Sequence, residues 1–182
     1  MITLVTGGAR SGKSRFAQET AAASGKRVLF VATAEAGDEE MRRRIDAHRA
    51  RRPAGWRTLE APARVGSTVR REIGDAQTVV IDCVTLLVSN VLGAWLSADG
   101  LHVDLPHAEQ AVTREMDELL DCLKATPADF LIVTNEVGLG IVPDNELGRA
   151  YRDLLGAANQ RLAAAADEVY FLVSGLPLRL KP

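Results

Sequence analysis

Five short apolar runs stand out along the chain: Ile2–Thr6 (ITLVT), Val28–Ala32 (VLFVA), Val79–Asp82 (VVID), Phe130–Thr134 (FLIVT) and Val169–Val173 (VYFLV). Each is nearly continuous in apolar residues, the pattern of strands buried on both faces, as in a parallel sheet. Between them the apolar period lengthens. Ala108, Ala111, Val112, Met116, Leu119, Leu120 and Leu123 recur at three and four, and so do Leu147, Ala150, Tyr151, Leu154, Leu155, Ala158 and Leu162. That spacing collects them on one face of a helix. Strands alternating with helices predict an α/β fold: a mostly parallel sheet with helices on both faces. The 182 residues suit one domain covering 1–182. The least regular stretch, Ser97 to His107 (SADGLHVDLPH), reads as a surface loop, either a lid or a plain connection. A second, Val137 to Asp144 (VGLGIVPD), is glycine-rich and directly follows a strand.

In open α/β sheets, ligands sit outside the carboxyl ends of the strands. The first run is followed by GGARSGKS and the second by Thr33, Ala34 and Glu35. The third ends in Asp82, and Asn135 with Glu136, then Ser174 with Gly175, follow the last two. Polar and glycine-rich groups therefore gather on one edge.

Gly7, Gly12, Lys13 and Ser14 fit G-x-x-x-x-G-K-[ST], with the required strand before them and a helix over Arg15 to Ala23 after them. Glycines let successive N–H groups of Gly7, Gly8, Ala9, Arg10, Ser11 and Gly12 turn towards phosphate oxygens. The helix N-terminus faces the same anion. Lys13 reaches the outer phosphates of ATP or GTP, and the Ser14 hydroxyl ligates Mg²⁺. Asp82, ending a buried strand, suits a carboxylate near that Mg²⁺; the plainer alternative is a helix N-cap for the segment starting at Cys83.

Glu39 to Arg52 (EEMRRRIDAHRARR) reads as a basic helix, for which a solvated face is the commonest explanation. Met41, Ile45 and His48, however, follow i, i+4, i+7 spacing, so His48 shares the apolar face. A neutral imidazole there could attack a nucleotide α-phosphate while arginines offset the developing charge; it could equally be structural.

Charge narrows the partners. The formal net charge of -2 argues against a general nucleic-acid binder. No apolar stretch approaches the roughly 20 residues of a membrane span, and the first residues are not a signal peptide. Cys83 and Cys122 lack metal-type spacing and read as thiols in a reducing compartment, so the expected location is the cytoplasm.

Four segments carry a more specific likeness: LVTGGARSGKSRFAQ, VATAEAGDEEMRRRIDAHRARRPAGWRTLE, VVIDCVTLLVSN and IVTNEVGLGIVPDNELGRAYRDLLGAANQRLAAAADEVYFLVSGLPLRLK. Through them the chain resembles, end to end except near residues 97–107, the bifunctional adenosylcobinamide kinase/adenosylcobinamide-phosphate guanylyltransferases of cobalamin (vitamin B12) biosynthesis. The resemblance implies a RecA-like P-loop NTPase sheet, phosphorylation of adenosylcobinamide by ATP or GTP, and transfer of GMP from GTP through a histidine–GMP intermediate. The product would be adenosylcobinamide-GDP. It also implies that His48 is the guanylylated histidine; some relatives carry a histidine pair where this chain has Ala47 and a single His48. The implied nucleotide site comprises Gly7 to Ser14, Ala32, Thr33, Ala34, Arg49, Ala50, Arg51, Arg52, Glu60 and Asp82. Glu60 would meet a guanine edge, although on its own it reads as a surface carboxylate. A homotrimer is implied as well. A single-activity P-loop kinase for another small alcohol would not need the histidine. A nucleotide-switched binding module would not consume a corrinoid.

Overall fold

The computed structural model describes the chain except Ala36, Asp38, Arg51, Asp99 and Leu101, and except the side chains of Glu40, Met41, Arg44, Ala47 and His48. Its strands are β1 (Ile2–Gly7), β2 (Val28–Ala32), β3 (Arg57–Glu60), β4 (Thr78–Asp82), β5 (Asp129–Val133), β6 (Glu168–Val173) and β7 (Leu176–Lys181). The helices are α1 (Lys13–Ala23), α2 (Glu39–Ala50), α3 (Val65–Glu72), α4 (Val84–Gly93), α5 (Leu105–Ala125) and α6 (Glu146–Ala165). The strands form one sheet in the order β3-β2-β4-β5-β1-β6-β7, parallel throughout except for β7 against β6.

The five expected strands are all present, with ends moved by at most a residue or two. β3 and β7 are additional. β3 (RTLE) has only Leu59 partly buried, and β7 (LPLRLK) is exposed along nearly its whole length. Neither strand has the buried apolar run that marks a central position; both are edges, with β7 closing a hairpin on β6. The helix expected from Arg15 begins at Lys13, inside the glycine loop itself.

The stretch 97–107 is less loop-like than its composition suggests. Leu96 bridges Val103, Ser97 Oγ both accepts from His102 N (3.0 Å) and donates to His102 O (3.0 Å), and Asp104 caps α5 with Pro106 in its first turn. Helix α5 thus starts within the stretch, at Leu105. Asp99 and Leu101 lie outside the described residues.

Alternation along the strands sorts the core into two layers. Leu4, Leu29, Ile81 and Ile132 point to α3, α4, α5 and α6, while Val5, Phe30, Val80 and Val133 point to Ala17 and Ala21 of α1. Helices therefore cover both faces. Among the described residues no helix is long and apolar enough to cross a membrane.

Candidate functional site: a phosphate cradle at the carboxyl edge of the sheet

The loop after β1 turns sharply because of its glycines. Gly7 has φ 146°, and a Cβ there would stand 2.5 Å from the Leu172 carbonyl oxygen. Gly12 has φ 97°, and a Cβ there would stand 3.2 Å from Gly175 Cα in the β6–β7 turn. Only glycine tolerates both the conformation and the approach. Gly175 N in turn donates to Ser11 O at 2.9 Å, so the C-terminal hairpin backs the loop. Gly12 is also the N-cap of α1 and supplies no side-chain cap. The first N–H groups of the helix are thereby left for an anion.

Lys13 is buried, and its Nζ donates to Gly8 O (2.5 Å) and lies 3.4 Å from Ser11 Oγ. It arches back over the loop where phosphate oxygens would lie. Burial lowers its pKa, and the nearby Asp82 carboxylate opposes that shift. The site's thiol is partly buried: desolvation first, and Asp82 next, push Cys83 up to about 11, so it is protonated at neutral pH.

These groups line a cavity of about 490 Å³ together with Arg10, Arg15, Ile45, Arg52, Thr85 and Asn135. Asp82 ends β4 in register with Ala32 of β2 and Val133 of β5. The N-cap of α4 is Cys83, with no side-chain capping bond, so the alternative reading of Asp82 as the cap of that helix is not what the fold adopts. Arg52 leans on an aromatic shelf. Its guanidinium carbon lies 4.0 Å from the Phe30 ring centroid, and Phe30 stacks on Trp56 at 6.4 Å. Burial lowers the Arg52 pKa, Arg49 adds to the shift, and Asp82 and Glu60 oppose it. Among the described residues its Nε is buried without a hydrogen-bond partner.

The expected residues do not all converge. Ala9, Arg10, Ser11, Gly12, Lys13, Ser14, Ala32, Ala34, Arg52 and Asp82 line the cavity, whereas Gly7 and Gly8 shape the loop behind it. Thr33 points the other way: fully buried, it accepts from Cys83 N and donates to Cys83 O, both at 2.7 Å, tying the β2 exit to the β4 exit. Arg49 and Glu60 form an exposed ion pair with each other, level with the cavity's rim at the end of β3. Ala50 is exposed and Arg51 lies outside the described residues. The His48 side chain is likewise outside them. Its place in α2 is three residues beyond Ile45, which lines the cavity. Sequence reasoning missed Phe30, hidden in an all-apolar run, and Arg15 and Thr85. It expected Asn135 near the site without giving it a task.

The donor set suits Mg²⁺. No three carboxylate, histidine or cysteine side chains cluster among the described residues, which argues against an all-protein cage. One hydroxyl, Ser14, and one carboxylate, Asp82, share a cavity with room for triphosphate. Mg²⁺ characteristically keeps waters and takes remaining ligands from substrate phosphates.

Comparison with known proteins agrees over the full length. A profile of the family described as "Cobinamide kinase / cobinamide phosphate guanyltransferase" matches residues 3–180. The chain is 45% identical to the bifunctional adenosylcobalamin biosynthesis protein CobP of Pseudomonas aeruginosa, covering 100% of this chain and 98% of that one. It is 42% identical to the bifunctional adenosylcobalamin biosynthesis protein CobU of Escherichia coli, covering 100% of both. Among solved structures, the RadB recombinase superposes with a TM-score of 0.51 at 16% identity, over 93% of this chain and 73% of that one. That likeness speaks to the RecA-like fold alone.

Proposed function

The chain belongs to the cobinamide kinase / cobinamide phosphate guanyltransferase family and is therefore an enzyme of adenosylcobalamin biosynthesis with both activities, and we propose that both reactions draw on the one cradle at the carboxyl edge of the sheet. The observation that carries this reading is the single cavity that joins Gly12, Lys13 and Ser14 to Asp82, Arg52 and the inner face of α2.

In the kinase step, the aminopropanol hydroxyl of adenosylcobinamide attacks the γ-phosphorus of ATP or GTP. The bond from that phosphorus to the β,γ-bridging oxygen breaks, the nucleoside diphosphate leaves and the hydroxyl proton passes to solvent. The loop amides and the N-terminus of α1 bind the phosphates. Lys13 spans the outer phosphates. Ser14 and Asp82 would hold Mg²⁺, which when bound neutralises charge on the phosphates and orients them.

In the guanylyl step, a neutral His48 nitrogen attacks the α-phosphorus of GTP, and the bond to the β-phosphate oxygen breaks, releasing pyrophosphate. A phosphate oxygen of adenosylcobinamide phosphate then attacks the same phosphorus. The P–N bond breaks, the imidazole is regenerated and adenosylcobinamide-GDP is formed. Arg52 offsets charge at the α-phosphate. Arg49 joins it when its exposed pair with Glu60 opens, which costs little because such pairs contribute about 0–1 kcal/mol. Glu60 then accepts from the guanine N1–H and exocyclic amine, donors that adenine does not present in that arrangement.

The test is direct. Incubation with GTP labelled at the α-phosphate should give an acid-labile protein adduct that is lost in His48→Ala. A wild-type protein that takes up no label would sink the guanylylation scheme. The two reduced cysteines, Cys83 and Cys122, fit a cytoplasmic site of action. Exposed apolar residues on the edge strand β7 (Leu176, Leu178 and Leu180) fit burial in a homotrimer.

A further inference from the structure

Strand β5 lies between the strand that feeds the phosphate loop and the strand that ends in Asp82. Whatever side chain leaves its carboxyl end therefore emerges between Lys13 and Asp82. Val133 is in register with both Val5 and Asp82. Asn135 stands two residues further on, and side-chain alternation returns it to the Val133 side, where both line the cavity.

The backbone at Asn135 is held from both sides. Its N–H donates to Thr85 Oγ1 at 2.7 Å, and its carbonyl accepts from Asn159 Nδ2 at 2.9 Å. The Asn159 amide orientation is in turn defined by Thr134 Oγ1, which donates to Asn159 Oδ1 at 2.7 Å from a fully buried position. Tyr151 OH donates to Thr85 O at 3.3 Å, and the next residue, Glu136, donates its N–H to Gly7 O at 3.0 Å. Five bonds thus fix the main chain around one residue whose own amide, among the described residues, has no intramolecular partner. A rigid main chain presenting an uncommitted amide to a cavity that also holds Lys13, Arg52 and Asp82 is a preorganised donor.

We infer that the Asn135 side-chain NH₂ donates a hydrogen bond to the phosphoryl group in transit during the kinase step, bridging the space between Lys13 and Asp82. This rests on the proposed seating of triphosphate in the cradle. At the level of the outer phosphate the contact serves γ-phosphoryl transfer. Guanylylation occurs two phosphates away, so it depends on the contact much less. Asn135 is in this sense a residue that separates the two activities sharing one cavity.

The experiment measures two rates on the same variants: phosphoryl transfer to adenosylcobinamide, and formation of the GMP adduct from GTP alone. Loss of one preorganised donor should lower the kinase kcat of Asn135→Ala about 10²-fold, with the KM for triphosphate little moved and with a much smaller loss in adduct formation. Asn135→Asp keeps the size and the main-chain bonds but replaces the donor with an anionic acceptor facing the phosphate, and should be slower still. Asn159→Ala, which loosens the support without touching substrate, should show a milder loss with the same bias towards the kinase step. Wild-type kinase turnover in Asn135→Ala and Asn135→Asp would overturn the inference. So would equal loss of both activities in variants with an unchanged melting temperature. If wild-type protein forms no adduct, the histidine scheme fails on its own, and the kinase arm still decides the role of Asn135.

Discussion

Lys13 is buried and its Nζ is bonded to Gly8 O, so its charge is held over the loop before any phosphate arrives. Lys13→Ala should reduce phosphoryl transfer by about 10²–10³-fold through loss of a preorganised charge; near-normal turnover would refute the clamp. The pH profile carries a matching signature. Burial lowers the Lys13 pKa from 10.5, so its proton is lost at lower pH than from a free lysine. The alkaline fall in kinase kcat/KM, which reports the nucleotide-free enzyme, should therefore begin below the pH set by an ordinary lysine. Asp82 could be read from its place at the end of a buried run. Thr33 could not be separated from Ala32 and Ala34, because whether a strand-end residue faces the cavity or the neighbouring strand depends on pairing. Arg52 looked like one basic residue among several, and its distinction is the Phe30 ring 4.0 Å away, which no local pattern announces.

At the scale of elements, the buried strands and the long helices α5 and α6 were legible from periodicity, since burial on one face or both imposes it. Helix α3 was not. Its N-cap position is Arg64, in a left-handed conformation with no capping side chain of its own. The cap comes from afar: the buried Glu115 of α5 accepts from Arg64 N and Val65 N, both at 2.8 Å. A helix start supplied by a residue some fifty positions away leaves no local signal. The same pair of helices meets at Gly66, where a Cβ would stand 2.2 Å from the Glu118 carbonyl oxygen. Since the obstacle is main chain, Gly66→Ala should cost about 3 kcal/mol, the upper part of the usual overpacking range. For a chain of this size that corresponds to a fall of roughly 6–12 °C in Tm. Calorimetry or thermal circular dichroism checks it, and a shift within 1 °C or so would show that α3 and α5 separate freely.

For the whole molecule, the α/β class and the helices on both faces followed from alternation, whereas the strand order did not, because crossovers are set by packing between distant segments. The antiparallel edge strand β7 exposes Leu176, Leu178 and Leu180, and the 137–144 segment exposes Leu139 and Ile141. An apolar edge of this kind invites association. Sedimentation equilibrium should report about three times the 19.6 kDa chain mass if the homotrimer forms, and Leu178→Lys should shift the population towards monomer. A wild-type particle of single-chain mass at micromolar concentration would contradict the assembly.

The sheet order also bears on when the enzyme can come into being. β1 precedes the other six strands of the sheet in sequence, yet it is flanked by β5 and β6, and Met1 N just before it pairs with Asp129, 128 residues downstream. The phosphate loop is then backed by the Ser174–Gly175 turn, later still. A growing chain therefore carries the whole GGARSGKS motif well before β6 and its hairpin emerge to complete the pocket around it. Pairings this remote in sequence are slow to close. The motif most easily read in the sequence thus owes its shape to residues of the β6–β7 hairpin, far downstream of it.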